Sequence, residues 1–378
     1  MSVTPFTLPE HPDEAAWIRR RVAEWRPFPE PAGHGWEHGA NLAYMQRLRD
    51  RWLGGFDWPA AVAHLNRLPH VRVALEGAPT LHAVHLRSSR ADAVPLLIAH
   101  GWPGSILEFD ALYERLAEPE DPALPAFHVV APSLPGYAWS DAPPAPIGPR
   151  AVAGLYDRLM TELGYDRFLT QGGDWGSVVG GWLGLDCPRL IGLHLNGYGL
   201  RAADMTPTTP EEKKWLNWAR AIRATETGYL QLQATKPQSL GFAMMDSPMG
   251  VAAWLAEKYC GWSDTSAKLV EPPLPLDTLL ATIMIYLTTR SFATATWLYR
   301  GMFLEGGFAI PEGRRIEVPT GVAAFPHDLL AFPPRAMVER GYTVTHWTDM
   351  PRGGHFAGLE EPGLLLADLR AFTASLRA

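Results

Sequence analysis

Between Ala93 and Gly197 four short apolar runs, AVPLLIAH, AFHVVAP, RFLTQGG and LIGLHLNG, alternate with segments of helical character. That alternation constrains the fold more than any other feature of the chain. Strands that are apolar on both faces need cover on both faces, and strands separated by helices pair in parallel. The expected result is a mostly parallel sheet with helices on either side. Helices are expected from about Ser105, from about Pro149 and directly after RFLTQGG. A hairpin, HVRVALEG and LHAVHLR, precedes the alternation, with turn-forming Gly77 and Pro79 near its connection.

Residues 1–70 read as a helical segment packed on the body, since PDEAAWIRRRVAEW and NLAYMQRLRDRWLGG space apolar residues by three and four. After Gly199 the alternation stops, and the chain to Leu304 is helical and rich in aromatic residues and methionine. Strand-like RIEVPTGVAAF, a helix near PRAMVERG, strand-like YTVTHWTDM and a closing helix PGLLLADLRAFTASL follow. The expected organisation is one core in two parts, 71–199 and 305–378, with a helical lid, 200–304, inserted between them. Such a lid would lie over the carboxyl edge of the sheet, where open α/β sheets place their ligands.

The chain has 378 residues, of which 47% are apolar and 19% charged, the balance of a compact globular enzyme. A formal net charge of -7 argues against nucleic acid or an anionic membrane as partner. MSVTPFTLPEHPDEAAWIRRR holds no apolar run long enough for a signal peptide or anchor. Cys187 and Cys260 cannot make a disulfide framework. A soluble cytoplasmic protein is expected.

The turn Gly172-Gly173-Asp174-Trp175-Gly176 has the small-x-nucleophile-x-small form of the α/β-hydrolase elbow, with a carboxylate where esterases carry serine. Aspartate before a helix is commonly a cap, but flanking glycines and a continuous apolar strand favour a nucleophile. His355, in PRGGHFAGLEEPG, lies where that fold presents its base, between the last strand and the last helix. Asp328, in FPHDLL, follows the preceding strand and is the expected acid. Asp349 competes for that role, but it is too close in sequence to His355 to approach from the next strand. His346 and His327 read as structural. HGWPGS, two strands before the elbow, would give one oxyanion donor, the N–H of Trp102, and the elbow would give the other, the N–H of Trp175. His34 and His38 are four apart, but Gly35 weakens a helix there and a third ligand is not evident. No phosphate-binding loop or dinucleotide fingerprint is found, and neither metal nor organic cofactor is expected.

An aspartate nucleophile attacks saturated carbon and leaves an alkyl ester for water to hydrolyse. Its electrophile therefore carries its own leaving group, an epoxide oxygen or a halide. The epoxide oxygen needs an acid, for which tyrosine is suited. A halide needs weak N–H donors, and the indole of Trp175 is a candidate. The lid holds Tyr229, Tyr259, Tyr286 and Tyr299, and composition does not choose among them.

FDWPAAVAHLNRLPHV, HGWPGS, GGDWGS, TGYLQLQATKPQSLGFAMMDSPMGVAAWLAEKY, VPTGVAAFPHDLL and RGGHFAGLEEP run in order along nearly the whole chain. Together they resemble the microsomal-type epoxide hydrolases, including the insect juvenile-hormone branch and soluble bacterial members. The resemblance implies Asp174 as nucleophile, His355 as base, Asp328 as acid, and Tyr229 and Tyr299 as the phenols that bind and protonate the epoxide oxygen. It implies a small apolar epoxide and water as substrates and no cofactor. No nucleic-acid or membrane partner is expected; a homodimer and a place in detoxification or aromatic hydrocarbon catabolism are expectations that the residues themselves do not decide. It also implies a cis Trp102–Pro103 bond. Two departures stand out: the anchor of membrane-bound relatives is lacking, and some relatives have glutamate where Asp328 stands. A haloalkane dehalogenase using the same aspartate is the alternative.

Overall fold

Nine strands form one sheet: β1 (Val3–Phe6), β2 (His70–Val73), β3 (Leu81–Leu86), β4 (Val94–Ala99), β5 (Phe127–Pro132), β6 (Phe168–Gly172), β7 (Leu190–Leu195), β8 (Ile316–Ala324) and β9 (Tyr342–Asp349). The computed structural model describes residues 3–33, 35–265 and 271–376; His34 of the His34/His38 pair lies outside them. The strand order is β1-β2-β3-β5-β4-β6-β7-β8-β9, antiparallel from β1 through β5 and parallel from there to β9. β4, β5, β6 and β7 are almost wholly buried, in keeping with their unbroken apolar runs. This is the α/β-hydrolase architecture, a mostly parallel sheet between layers of helix.

β1 is a departure from the helical reading of the first seventy residues. It is four residues long, contains Pro5, and pairs Val3 with Val73 at the edge of the sheet. Proline is tolerated at an edge, and four residues carry too little alternation to read. The helix expected from Ser105 is shorter than its pattern: a single tight turn, Ile106–Phe109, capped by the Ser105 hydroxyl, then Tyr113–Ala117.

Helices occupy the chain between β7 and β8, from Pro210–Glu226 to Trp297–Leu304. They hold to the rest of the molecule by side chains that can be named. The Glu305 carboxylate accepts the N–H groups of Gly148, Arg150 and Ala151 at 3.0–3.3 Å, capping the core helix Pro149–Glu162. Arg51, on the N-terminal helix Leu42–Gly54, bonds both oxygens of Asp277 at 2.7 and 2.6 Å. Behind the sheet, Asp368 accepts from His194 of β7 at 2.9 Å and from His346 of β9 at 2.8 Å. Among the described residues no helix is long and apolar enough to cross a membrane.

Candidate active site

β4 and β6 are neighbours, with Ala99 opposite Gly172, so the loops leaving their carboxyl ends meet. The meeting is close enough to require glycine. A Cβ on Gly176 would lie 2.0 Å from the Ala99 carbonyl oxygen, and one on Gly172 would lie 2.5 Å from the carbonyl carbon of Gly176. Between them Asp174 is forced to φ +43°, a left-handed conformation that non-glycine residues rarely adopt and that proteins retain at functional sites.

The Trp102 N–H donates to Asp174 Oδ1 at 2.8 Å. Of the two expected backbone donors, Trp102 alone among the described residues bonds that carboxylate; the Trp102–Pro103 bond is cis. Asp174 Oδ2 stands 3.4 Å from His355 Nε2, and His355 Nδ1 lies 2.8 Å from Asp328 Oδ1. The His355 backbone N–H donates to the Trp262 carbonyl at 2.9 Å, and the Trp262 ring meets the imidazole edge-on. Burial disfavours the imidazolium, yet the Asp328 and Asp174 carboxylates outweigh it and raise the His355 pKa well above its ordinary value. Asp349 is elsewhere, accepting from the Trp347 indole at 2.9 Å. His346 belongs to the Asp368 cluster, and His327 lies 3.7 Å from Asp264.

The structure separates the four tyrosines. Tyr259 and Tyr286 donate their hydroxyls to the carbonyls of Pro103 and Gly104, at 3.4 and 2.8 Å. Tyr229 and Tyr299 instead face the cavity. The Tyr229 ring stacks on Trp102 at 5.2 Å, and Tyr299 meets both Trp102 and Trp175 edge-on. The Tyr299 hydroxyl is buried beside that of Tyr229. Burial raises the pKa of both phenols, Asp174 adds to it, and they stay protonated.

A cavity of about 280 Å³ brings together Asp174, His355, Asp328, Tyr229 and Tyr299, with apolar walls from Val178, Leu230, Phe308 and Leu329. Among the described residues no cluster of three His, Cys, Asp or Glu side chains could hold a metal.

Sequence reasoning passed over Glu108. It borders a second, narrow gap with Gly101, Gly104, Asp174 and His355. Burial raises its carboxyl to about 8 against the pull of His355. The available signal was Gly104: a Cβ there would lie 2.6 Å from Glu108 Oε2, so HGWPGS leaves the space that this carboxyl fills. Arg201 and Arg223, which also line the main cavity, were passed over too.

The family described as "Epoxide hydrolase N terminus" matches residues 3–109, and "alpha/beta hydrolase fold" matches residues 94–239. Epoxide hydrolase 1 of Sus scrofa is 32% identical over 99% of this chain and 89% of its own. A Stigmatella aurantiaca chain that carries the epoxide hydrolase name is 37% identical over 100% of this chain and 86% of its own. The solved structure of Aspergillus niger epoxide hydrolase aligns at a TM-score of 0.87 and 32% identity, covering 100% of this chain and 97% of that one. This chain belongs to the epoxide hydrolase family.

Proposed function

We propose that the enzyme opens an epoxide to a vicinal diol through a covalent ester on Asp174. The observation that carries this reading is two protonated phenols, Tyr229 and Tyr299, facing the cavity of a carboxylate backed by the His355–Asp328 pair. Asp174 attacks a ring carbon, the ring C–O bond breaks, and a phenol gives its proton to the departing oxygen. Esterification removes the Asp174 charge, one of the two charges that keep His355 protonated. The imidazolium then gives up its proton, which restores the phenol. Neutral His355 takes a proton from water, hydroxide adds to the ester carbonyl, and the oxyanion meets the N–H of Trp102, with Trp175 as second donor. Collapse breaks the bond to the alkoxide, which takes the His355 proton to leave as the diol; the Asp174 carboxyl then passes its proton to His355, restoring carboxylate and imidazolium.

The body in this reading is 71–199 with 305–378, residues 200–304 form the lid, and residues 1–70 brace both. The apolar walls suit an apolar epoxide. A halide leaving group needs no acid, so the phenols count against a dehalogenase, although the Trp102 and Trp175 indole N–H groups are buried without partners.

The test is the intact mass of His355→Gln protein mixed separately with styrene oxide and with a bromoalkane. Lacking its base, the variant is expected to stall with the whole mass of styrene oxide on the Asp174 peptide. An adduct from the bromoalkane alone, lighter by bromide, would transfer the enzyme to the dehalogenases.

A further inference from the structure

Two arginines line the cavity that holds Asp174: Arg201, just beyond β7, and Arg223, on the helix Pro210–Glu226. Arg223 Nε is buried with no hydrogen-bond partner, and neither guanidinium is hydrogen-bonded or ion-paired among the described residues. Other partly buried arginines are engaged; Arg340, for one, bonds both oxygens of Glu212. The two cavity carboxylates are bonded elsewhere, Asp174 to the Trp102 N–H and Asp328 to His355.

The placement is specific. The Trp175 ring, next to the nucleophile, stacks on Phe308 at 5.6 Å, and the Arg201 guanidinium lies 5.7 Å from the centre of the Phe308 ring. The Phe308 ring thus lies in contact with both the Arg201 guanidinium and the Trp175 ring. Burial, then the charge of Arg223, lowers Arg201 to about 10. Two like charges drawn partly out of water with no counter-ion are costly, and such arrangements gather where a ligand supplies the opposite charge.

The geometry points to an epoxide that carries a carboxylate as the substrate class, with Arg201 and Arg223 gripping the carboxylate while the oxirane meets Asp174. This deepens the epoxide-hydrolase reading and rests on it. A carboxylate fits for two reasons. Its planar fork matches a guanidinium, and a cavity of about 280 Å³ has little room for a bulkier anionic head. The apolar wall of Val178, Leu230 and Leu329 suits a short hydrocarbon spacer.

The experiment compares kcat/KM for 7,8-epoxyoctanoate and its neutral analogue 7,8-epoxyoctanamide. The wild type is expected to favour the acid at least tenfold, through KM. Arg201→Gln/Arg223→Gln should erase that preference, bringing the ratio of acid to amide kcat/KM to about one. Equal use of acid and amide by the wild type would overturn the proposal, as would a double variant that keeps the preference. Should the double variant fail to fold, Arg223→Gln alone is to weaken the preference; an unchanged ratio would overturn it. Should the wild type turn over neither epoxide, the epoxide reading fails separately. Calorimetry with octanoate and octanamide then decides: tighter octanoate binding that is lost in the variant upholds the anion site, and equal binding removes it.

Discussion

The backbone N–H of Trp102 donates to Oδ1 of Asp174 at 2.8 Å, so in the proposed mechanism the resting carboxylate already occupies the place where an oxyanion would form. The other oxygen, Oδ2, is on the side of His355. Oδ2 is therefore the oxygen expected to bond the epoxide carbon, and Oδ1 the ester carbonyl oxygen that takes up charge during hydrolysis.

A single turnover in water enriched in heavy oxygen tests this division. The first diol should carry unlabelled oxygen from Asp174, because water attacks the ester carbonyl and the bond to Oδ2 leaves with the product. Mass spectrometry of that diol reads the outcome, and label in the first turnover would mean direct attack by water.

In the proposed mechanism the two phenols share one task. Tyr229→Phe or Tyr299→Phe alone should slow ester formation by roughly 10–100-fold, and the pair by more than about 10³-fold, within the range of general acid catalysis. Rapid quenching separates ester formation from hydrolysis; a double variant that opens epoxides at the normal rate would remove the acid role.

His355 should hold its proton to a higher pH in the free enzyme than in the ester, because esterification takes away the Asp174 charge. The acid limb of ester hydrolysis should therefore lie below the His355 pKa read by NMR in the free enzyme. Equal values would mean that Asp174 does not control the base. The raised pKa also has a stability sign: its contribution is complete below about 6.5 and is lost as pH rises through the folded value.

Glu108, raised to about 8, is neutral at pH 7. Above pH 8 its charge would hold the proton on His355 and slow ester hydrolysis. Glu108→Gln should flatten an alkaline fall in kcat centred near pH 8, measured as a pH profile; an unchanged limb would assign that fall to another group. The stability it contributes is complete below about pH 4.5 and disappears as pH rises through 8.

Asp368 bears on stability alone. Burial would raise its pKa, but the hydrogen bond and charge of His194, helped by Thr348 and His346, hold it at about 2. A depressed carboxylate stabilises above its ordinary pKa of 3.8, and the contribution is lost as pH falls through 2. Asp368→Asn should cost about 2 kcal/mol at pH 7 and flatten the acid limb between pH 4 and 2. Urea melts at several pH values measure it.

The elbow was legible because its chemistry is local: Gly172 and Gly176 are needed by backbones that touch, and the sequence states both. Asp328 and Asp349 could be ranked by strand order, since a partner for His355 must come from the neighbouring strand. The tyrosines were different. Four lie in the inserted helices, and only family resemblance separated Tyr229 and Tyr299 from Tyr259 and Tyr286, whose work is to hold loop carbonyls. β1 stayed hidden because four residues with a proline have no period. Arg201 and Arg223 stayed hidden for another reason: the chain has 33 lysines and arginines, and which of them line the cavity is a property of three-dimensional space.

The hydroxyls of Tyr259 and Tyr286 reach from the inserted helices to the loop whose Trp102 N–H bonds Asp174. On the proposed roles, access and competence would be geared together. If those helices swing away to admit a substrate, they let go of the carbonyls behind the Trp102 N–H. A gaping enzyme would then be a disarmed one, to be rearmed only as it shuts over its cargo.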